Sequence, residues 1–201
     1  MAETDRDRLL KIARRRGVIT AAEAARAGIH SQPLTRLVAD GTLERIARGR
    51  YRVAGRPVTE HHGLALVAGA VPGGVICLLS ALSFHGIGTQ LPSEVWVAID
   101  RRARTPAFKQ PPLRVVRFSG PAFSEGVESH RIEGQTVRIY SVAKTLADLF
   151  KHRNQVGMDV TLEALREAWR ERRFTMEALD RAARVCRVER VRRPYVAGIV
   201  G

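Results

Sequence analysis

The stretch GVITAAEAARAGIHSQPLTRLVADGTLERIARGRYRV, residues 17–53, decides the fold. Gly17 suits the end of a preceding helix, Asp5 to Arg15, in which Leu9, Ile12 and Ala13 recur at helical spacing between charges. Val18 and Ile19 then form a short extended piece. Thr20 followed by Glu23 has the spacing of a capping box, which starts an Ala-rich helix over Ala21 to Ala27, closed by Gly28. Ile29, His30 and Ser31 make a turn. Ser31 is the expected N-cap of the next helix, with Pro33 in its first turn, where a missing N–H costs nothing. That helix runs to Ala39 and buries Leu34, Leu37 and Val38. Asp40-Gly41 ends it. Leu43 to Ala47 and Arg50 to Val53 read as two strands joined by a tight Arg48-Gly49 turn. The order helix, short strand, helix, helix, hairpin is that of a winged helix-turn-helix.

A helix that enters the major groove of duplex DNA must offer short polar side chains and Arg on its outer face, near its start. Ser31, Gln32, Thr35 and Arg36 meet that requirement. Gln pairs bidentately with adenine and Arg with guanine. The hairpin places Arg45, Arg48, Arg50 and Arg52 around Gly49 as candidate phosphate contacts, with Tyr51 between them. Thr20 and the run Arg14 to Arg16 are candidates for further backbone positioning.

The whole-chain charge agrees. The 201 residues carry a formal net charge of +14, and the first 57 residues supply half of it. So large an excess points to a polyanionic partner, double-stranded DNA before anionic membrane. The start, Met1 to Arg8, is charged and no apolar run follows it. The longest apolar stretch, Val75 to Leu82, is too short to span a bilayer. These features predict a cytoplasmic protein without membrane association. Cys77 and Cys186 lie far apart in apolar surroundings and read as small core residues in a reducing compartment.

Gly55-Arg56-Pro57 reads as a linker, giving a DNA-binding domain over 1–57 and a second domain over 58–201. The second part alternates helices and strands. Helices are expected over Thr59 to Ala70, Val75 to His85, Ser141 to Phe150, Asp159 to Glu171 and Thr175 to Val188. Strands are expected over Val95 to Ile99, Leu113 to Phe118 and Gln135 to Tyr140, and a basic surface loop over Arg101 to Pro112. The fold class is therefore α+β, a winged helix-turn-helix followed by a mixed α/β C-terminal domain. Leu162, Leu165, Ala168 and Trp169 form one stripe, which suits either the domain's own core or a second copy.

No catalytic or metal site emerges from the spacing, and no cofactor is expected. Ala143-Lys144-Thr145 lacks the glycines of a phosphate loop, which leaves Lys144 as a helix-surface residue. Adjacent His61 and His62 diverge on a helix. His85 reads as a core or capping histidine. Asp100 follows a strand without a second carboxylate at a fitting spacing. Ser80 and Ser83 have no nucleophile elbow. Asp148 reads as a structural carboxylate that caps or pairs with a nearby Arg.

The segments Gly17 to Ile29 and Leu34 to Tyr51 resemble the N-terminal domain of AbiEi-type antitoxins of type IV, abortive-infection toxin–antitoxin systems. The segments CLLSALSFHGI (77–87), VWVAI (95–99) and YSVAKTLADLF (140–150) extend the resemblance to about Phe150. The resemblance implies a non-enzymatic transcriptional autorepressor that binds operator repeats upstream of its own operon, cooperatively and as a possible homodimer. It also implies a functional link to a nucleotidyltransferase-like toxin, with or without a direct complex. Two other readings stay open from the residues alone. One is a winged-helix regulator with a ligand- or protein-binding second domain, and the other is a DNA-acting nuclease.

Overall fold

The computed structural model describes residues 4–55, 59–108 and 110–200. The expected linker at Arg56 and Pro57 lies outside them. The chain divides into two compact units, one of Met1–Ala65 with Arg131–Thr136 and one of Leu66–His130 with Val137–Gly201.

The first unit begins with α1 (Asp5–Arg16), whose N-cap Thr4 forms a capping box with Asp7. β1 (Val18–Thr20) follows, then α2 (Ala21–Arg26), started by the Thr20–Glu23 capping box. α3 spans Ser31–Ala39, β2 Leu43–Ala47 and β3 Arg50–Val53. The strands form an antiparallel sheet in the order β1-β3-β2. Leu9, Ala13, Ile19, Ala24, Ile29, Leu34, Leu37 and Leu43 make one buried cluster. Each of the three helices contributes to it, so burial of their apolar stripes, rather than helix propensity, holds these short elements. The N-cap of α3 corrects the sequence reading: it is His30, without a side-chain bond, and Ser31 is the first helical residue.

Gly17 sits at φ +76°, and a Cβ there would lie 1.3 Å from the carbonyl oxygen of Glu133 in the same unit. Gly41, at φ +73°, has open space around it. Gly17→Ala is expected to destabilise by about 2 kcal/mol or more, from backbone strain and a clash with rigid main chain. Gly41→Ala should show only the conformational cost, about 1–2 kcal/mol. Equal melting temperatures for the two variants would refute the close approach at Gly17.

In the second unit, α4 (His62–Ala70, whose first residues belong to the first unit) starts later than expected. Thr59 and His62 are instead held by Glu133, with His62 Nδ1 2.7 Å from its carboxylate. The expected helix Val75 to His85 is in fact β4 (Val75–Ile76) followed by α5 (Leu78–His85), with Cys77 extended between them at φ −141°. β5 (Val95–Asp100), β6 (Leu113–Phe118), β7 (Val127–Ile132) and β8 (Gln135–Tyr140) complete a mixed sheet in the order β6-β5-β4-β8-β7. β5 runs parallel to β6, and β4 runs antiparallel to β5 but parallel to β8. α6 (Pro121–Ser124) lies between β6 and β7. After β8 come α7 (Val142–Lys151), α8 (Arg153–Val156), α9 (Met158–Arg170), α10 (Met176–Cys186) and α11 (Glu189–Val200).

Every residue of α7 from Val142 to Phe150 is buried, and α5, α9, α10 and α11 pack around it. Leu165 and Ala168 are buried in that core, with Leu162 packed against it. The stripe on α9 thus serves the domain's own core. Lys144 is not on the surface: it is 1% exposed, and its Nζ lies 2.5 Å from Oδ2 of Asp148, itself fully buried. Lys144, not an Arg, is the partner of Asp148. The ammonium also faces the rings of Tyr140 at 4.0 Å and Phe118 at 4.8 Å. The Cys186 thiol donates to Asp148 Oδ1 at 3.1 Å. Burial pushes the Asp148 carboxyl up, opposed by Lys144, and raises the Cys186 thiol to about 12. Both cysteines are buried and free.

Candidate nucleic-acid interface

The face of α3 opposite its buried residues carries the predicted reading side chains. Leu34 and Leu37 are each 2% exposed, whereas Ser31, Gln32, Thr35 and Arg36 are all exposed. At 3.6 residues per turn, 31, 32, 35 and 36 fall on one side and 34 and 37 on the other. The Thr35 hydroxyl donates back to Ser31 O at 3.3 Å. The side chains of Gln32 and Arg36 make no hydrogen bond or ion pair among the described residues, so their polar ends need no rearrangement to meet a ligand.

The β2–β3 hairpin supplies the wing. Its turn at Arg48-Gly49 is anchored: the Ala21 amide donates to Gly49 O at 2.8 Å, tying the tip to the start of α2. Arg45 and Arg48 are exposed, while Gly49, Arg50, Tyr51 and Arg52 are half-buried. The four arginines are not equivalent. Arg52 is bonded through Nε to Glu44, its partner across the strands, so its charge is largely balanced. Arg50 feels Glu23, and burial depresses its pKa. Arg48, at the tip, makes no ion pair among the described residues. Tyr51 packs against the unit's core and braces the hairpin.

Thr20 has another task besides any contact with a ligand. Its hydroxyl donates to Glu23 Oε2 at 2.9 Å and accepts from Glu23 N at 3.1 Å. Of the run Arg14 to Arg16, Arg14 is exposed, and the side chains of Arg15 and Arg16 lie outside the described ones. The balancing roles of Glu44 and Glu23 are what the residue reading missed. The capping-box spacing pointed to Glu23, but the Glu44–Arg52 pairing depends on strand register.

The other candidates are engaged in the fold. Ser80 Oγ accepts from Trp96 N at 2.9 Å, and a ring nitrogen of His85 lies 2.8 Å from Tyr140 O. Asp100 accepts from Arg102 N at 2.8 Å. Among the described residues no group of three or more His, Cys, Asp or Glu is placed to hold a metal ion. No helix of the described residues is long and apolar enough to cross a membrane.

Three helices, a three-stranded antiparallel sheet and an Arg-bearing hairpin define the first unit as a winged helix-turn-helix. Residues 7–54 match the family model described as "Transcriptional regulator, AbiEi antitoxin". Over that N-terminal segment, less than half of its length, the chain is similar to the AbiEi antitoxin transcriptional regulators. Among solved structures, the chain is similar to the RV2827C protein from Mycobacterium tuberculosis, with a TM-score of 0.57. The identity is 14%, over 90% of this chain and 72% of that one, so the likeness is one of fold. No curated protein matches the sequence.

Proposed function

We propose that this chain is a DNA-binding autorepressor and the antitoxin of a type IV toxin–antitoxin system. In this reading the start of α3 enters the major groove, with Gln32 and Arg36 on base edges and Ser31 and Thr35 beside them. The wing, through Arg48 above all and Arg45 and Arg50 beside it, rests on the flanking phosphates. The observation that carries the reading is the exposed 31–32–35–36 face of α3 beside an Arg-tipped hairpin, inside the segment that matches the AbiEi model. The DNA is the operator repeats upstream of the chain's own operon, and the toxin it counters is nucleotidyltransferase-like. Both follow from the family resemblance.

The test is a gel-shift series with DNA upstream of the gene against scrambled duplexes. The wild-type chain should prefer the upstream DNA. Arg36→Ala should lose about 1–3 kcal/mol of preference at the base it reads, with its salt dependence nearly unchanged. Equal retardation of upstream and scrambled DNA by the wild type would remove the repressor reading. Co-expression with the product of the adjacent gene tests the antitoxin half: growth should be rescued by this chain and not by an empty vector.

A further inference from the structure

The second unit contains a cavity of about 660 Å³ that the DNA-reading surface does not use. It opens at the carboxyl end of β6, where Phe118 closes the strand and Pro121 and Ala122 begin α6. In open α/β sheets ligands settle beyond the carboxyl ends of parallel strands, and β5–β6 is such a parallel pair. The volume falls within the range of small-molecule sites, about 300–1,000 Å³.

Three sides of the cavity have different chemistry. Phe118, Pro121 and Ala122 give an apolar wall. Asp148 borders the cavity but is fully buried, and its charge is balanced within the core by Lys144, so it does not cancel the charge of the rim. The rim carries Lys151 at the end of α7 and Arg184 and Arg187 at the end of α10. All three are exposed and make no ion pair among the described residues. Arg117, also at the cavity, is already committed: its guanidinium donates to the carbonyls of Arg101 and Ala103 and to the Thr105 hydroxyl. Glu125 supplies a carboxylate acceptor on the apolar side.

Unpaired cations grouped at one mouth call for a multiply charged anion. An apolar wall with a nearby carboxylate calls for a planar, amine-bearing ring. A concave site of bounded volume suits a small molecule better than a continuous phosphate backbone. We infer that this cavity is a binding site for a nucleoside polyphosphate, with the phosphates on Lys151, Arg184 and Arg187 and the base against Phe118 and Pro121 beside Glu125.

The experiment uses the full chain and measures melting temperature and calorimetric binding with ATP, adenosine and tripolyphosphate. ATP is expected to raise the melting temperature with concentration, tripolyphosphate to raise it less, and adenosine not to raise it. Because Lys151 and Arg184 are exposed, Lys151→Glu with Arg184→Glu should melt like the wild type without ligand and lose ATP affinity by about a hundredfold. Lys151→Gln alone should lose about tenfold. The inference is overturned if millimolar ATP produces no shift, or if adenosine matches ATP. It is overturned equally if binding survives in the double variant, or is abolished by Arg48→Ala with Arg50→Ala, which would place the nucleotide on the wing.

Discussion

Asp148→Ala is expected to destabilise the second unit by about 3–5 kcal/mol, because it leaves the Lys144 ammonium buried without its counter-charge. Lys144 lies 1% exposed inside a helix with no exposed face between Val142 and Phe150. The Tyr140 and Phe118 faces give it some compensation, of order 0.5–2 kcal/mol each, which does not replace a carboxylate. The cost is specific to breaking the pair rather than to losing it. Lys144→Met combined with Asp148→Leu should recover most of the stability, since apolar replacement of a buried ion pair is often neutral or stabilising. Chemical denaturation of the three proteins reads this directly. If the double variant is no more stable than Asp148→Ala alone, the uncompensated charge is not the cause of the loss. Loss of the carboxylate also removes the acceptor of the Cys186 thiol.

The second large effect is expected at the wing. Arg48→Ala with Arg50→Ala should weaken binding to all duplexes by about a hundredfold, taking about 1.5 kcal/mol for each charge-assisted contact. It should also reduce the slope of log affinity against log salt by about 0.9 for each phosphate released. The two residues should differ in the single variants. Arg48 has no ionic partner among the described residues, whereas Arg50 already interacts with Glu23, so Arg48→Ala should carry more of the loss. Filter binding or fluorescence anisotropy between low and moderate salt measures both quantities. An unchanged slope in the double variant would remove the wing from the interface. A slope change accompanied by altered base preference would assign it a reading role instead of a clamping one.

Much of the first unit was legible in the sequence because its boundaries are set by local chemistry. Thr20 and Glu23 form the capping box that their spacing predicts, and Gly17 ends α1. The exposed face of α3 followed from periodicity alone. The state of the arginines did not. With a regular two-residue turn at Arg48-Gly49, Arg45 would face Arg52 across the strands. A register shift between Arg45 and Ala47 instead pairs Arg45 with Tyr51 and Glu44 with Arg52. One extra residue, invisible to alternation rules, decides which cation is neutralised.

The second unit shows a different limit. The run from Val75 to His85 is apolar throughout, so periodicity does not separate a buried strand from a buried helix. Its first two residues are β-branched and follow the Pro72-Gly73-Gly74 turn, which was the available signal for β4. Residue type alone puts Lys144 on the surface, since lysine is rarely buried without a partner. Its partner stands four residues on, a spacing that fits an ion pair on any helix and does not say whether that face meets water or core. Pockets, likewise, depend on how distant segments converge, and nothing in the spacing of Phe118, Lys151 and Arg184 shows that they share a cavity.

The bond from the Ala21 amide to Gly49 O joins the wing tip to the helix that precedes α3, and β1 pairs with β3 along the same edge. The hairpin tip and α3 are therefore mounted on one frame, and the first unit's own fold sets the span between Arg48 and the start of α3. In the reading proposed above, such a span works as a caliper on duplex DNA: it accepts a groove of matching width at little cost and requires any other sequence to deform toward it, so base pairs that no side chain touches contribute to selection.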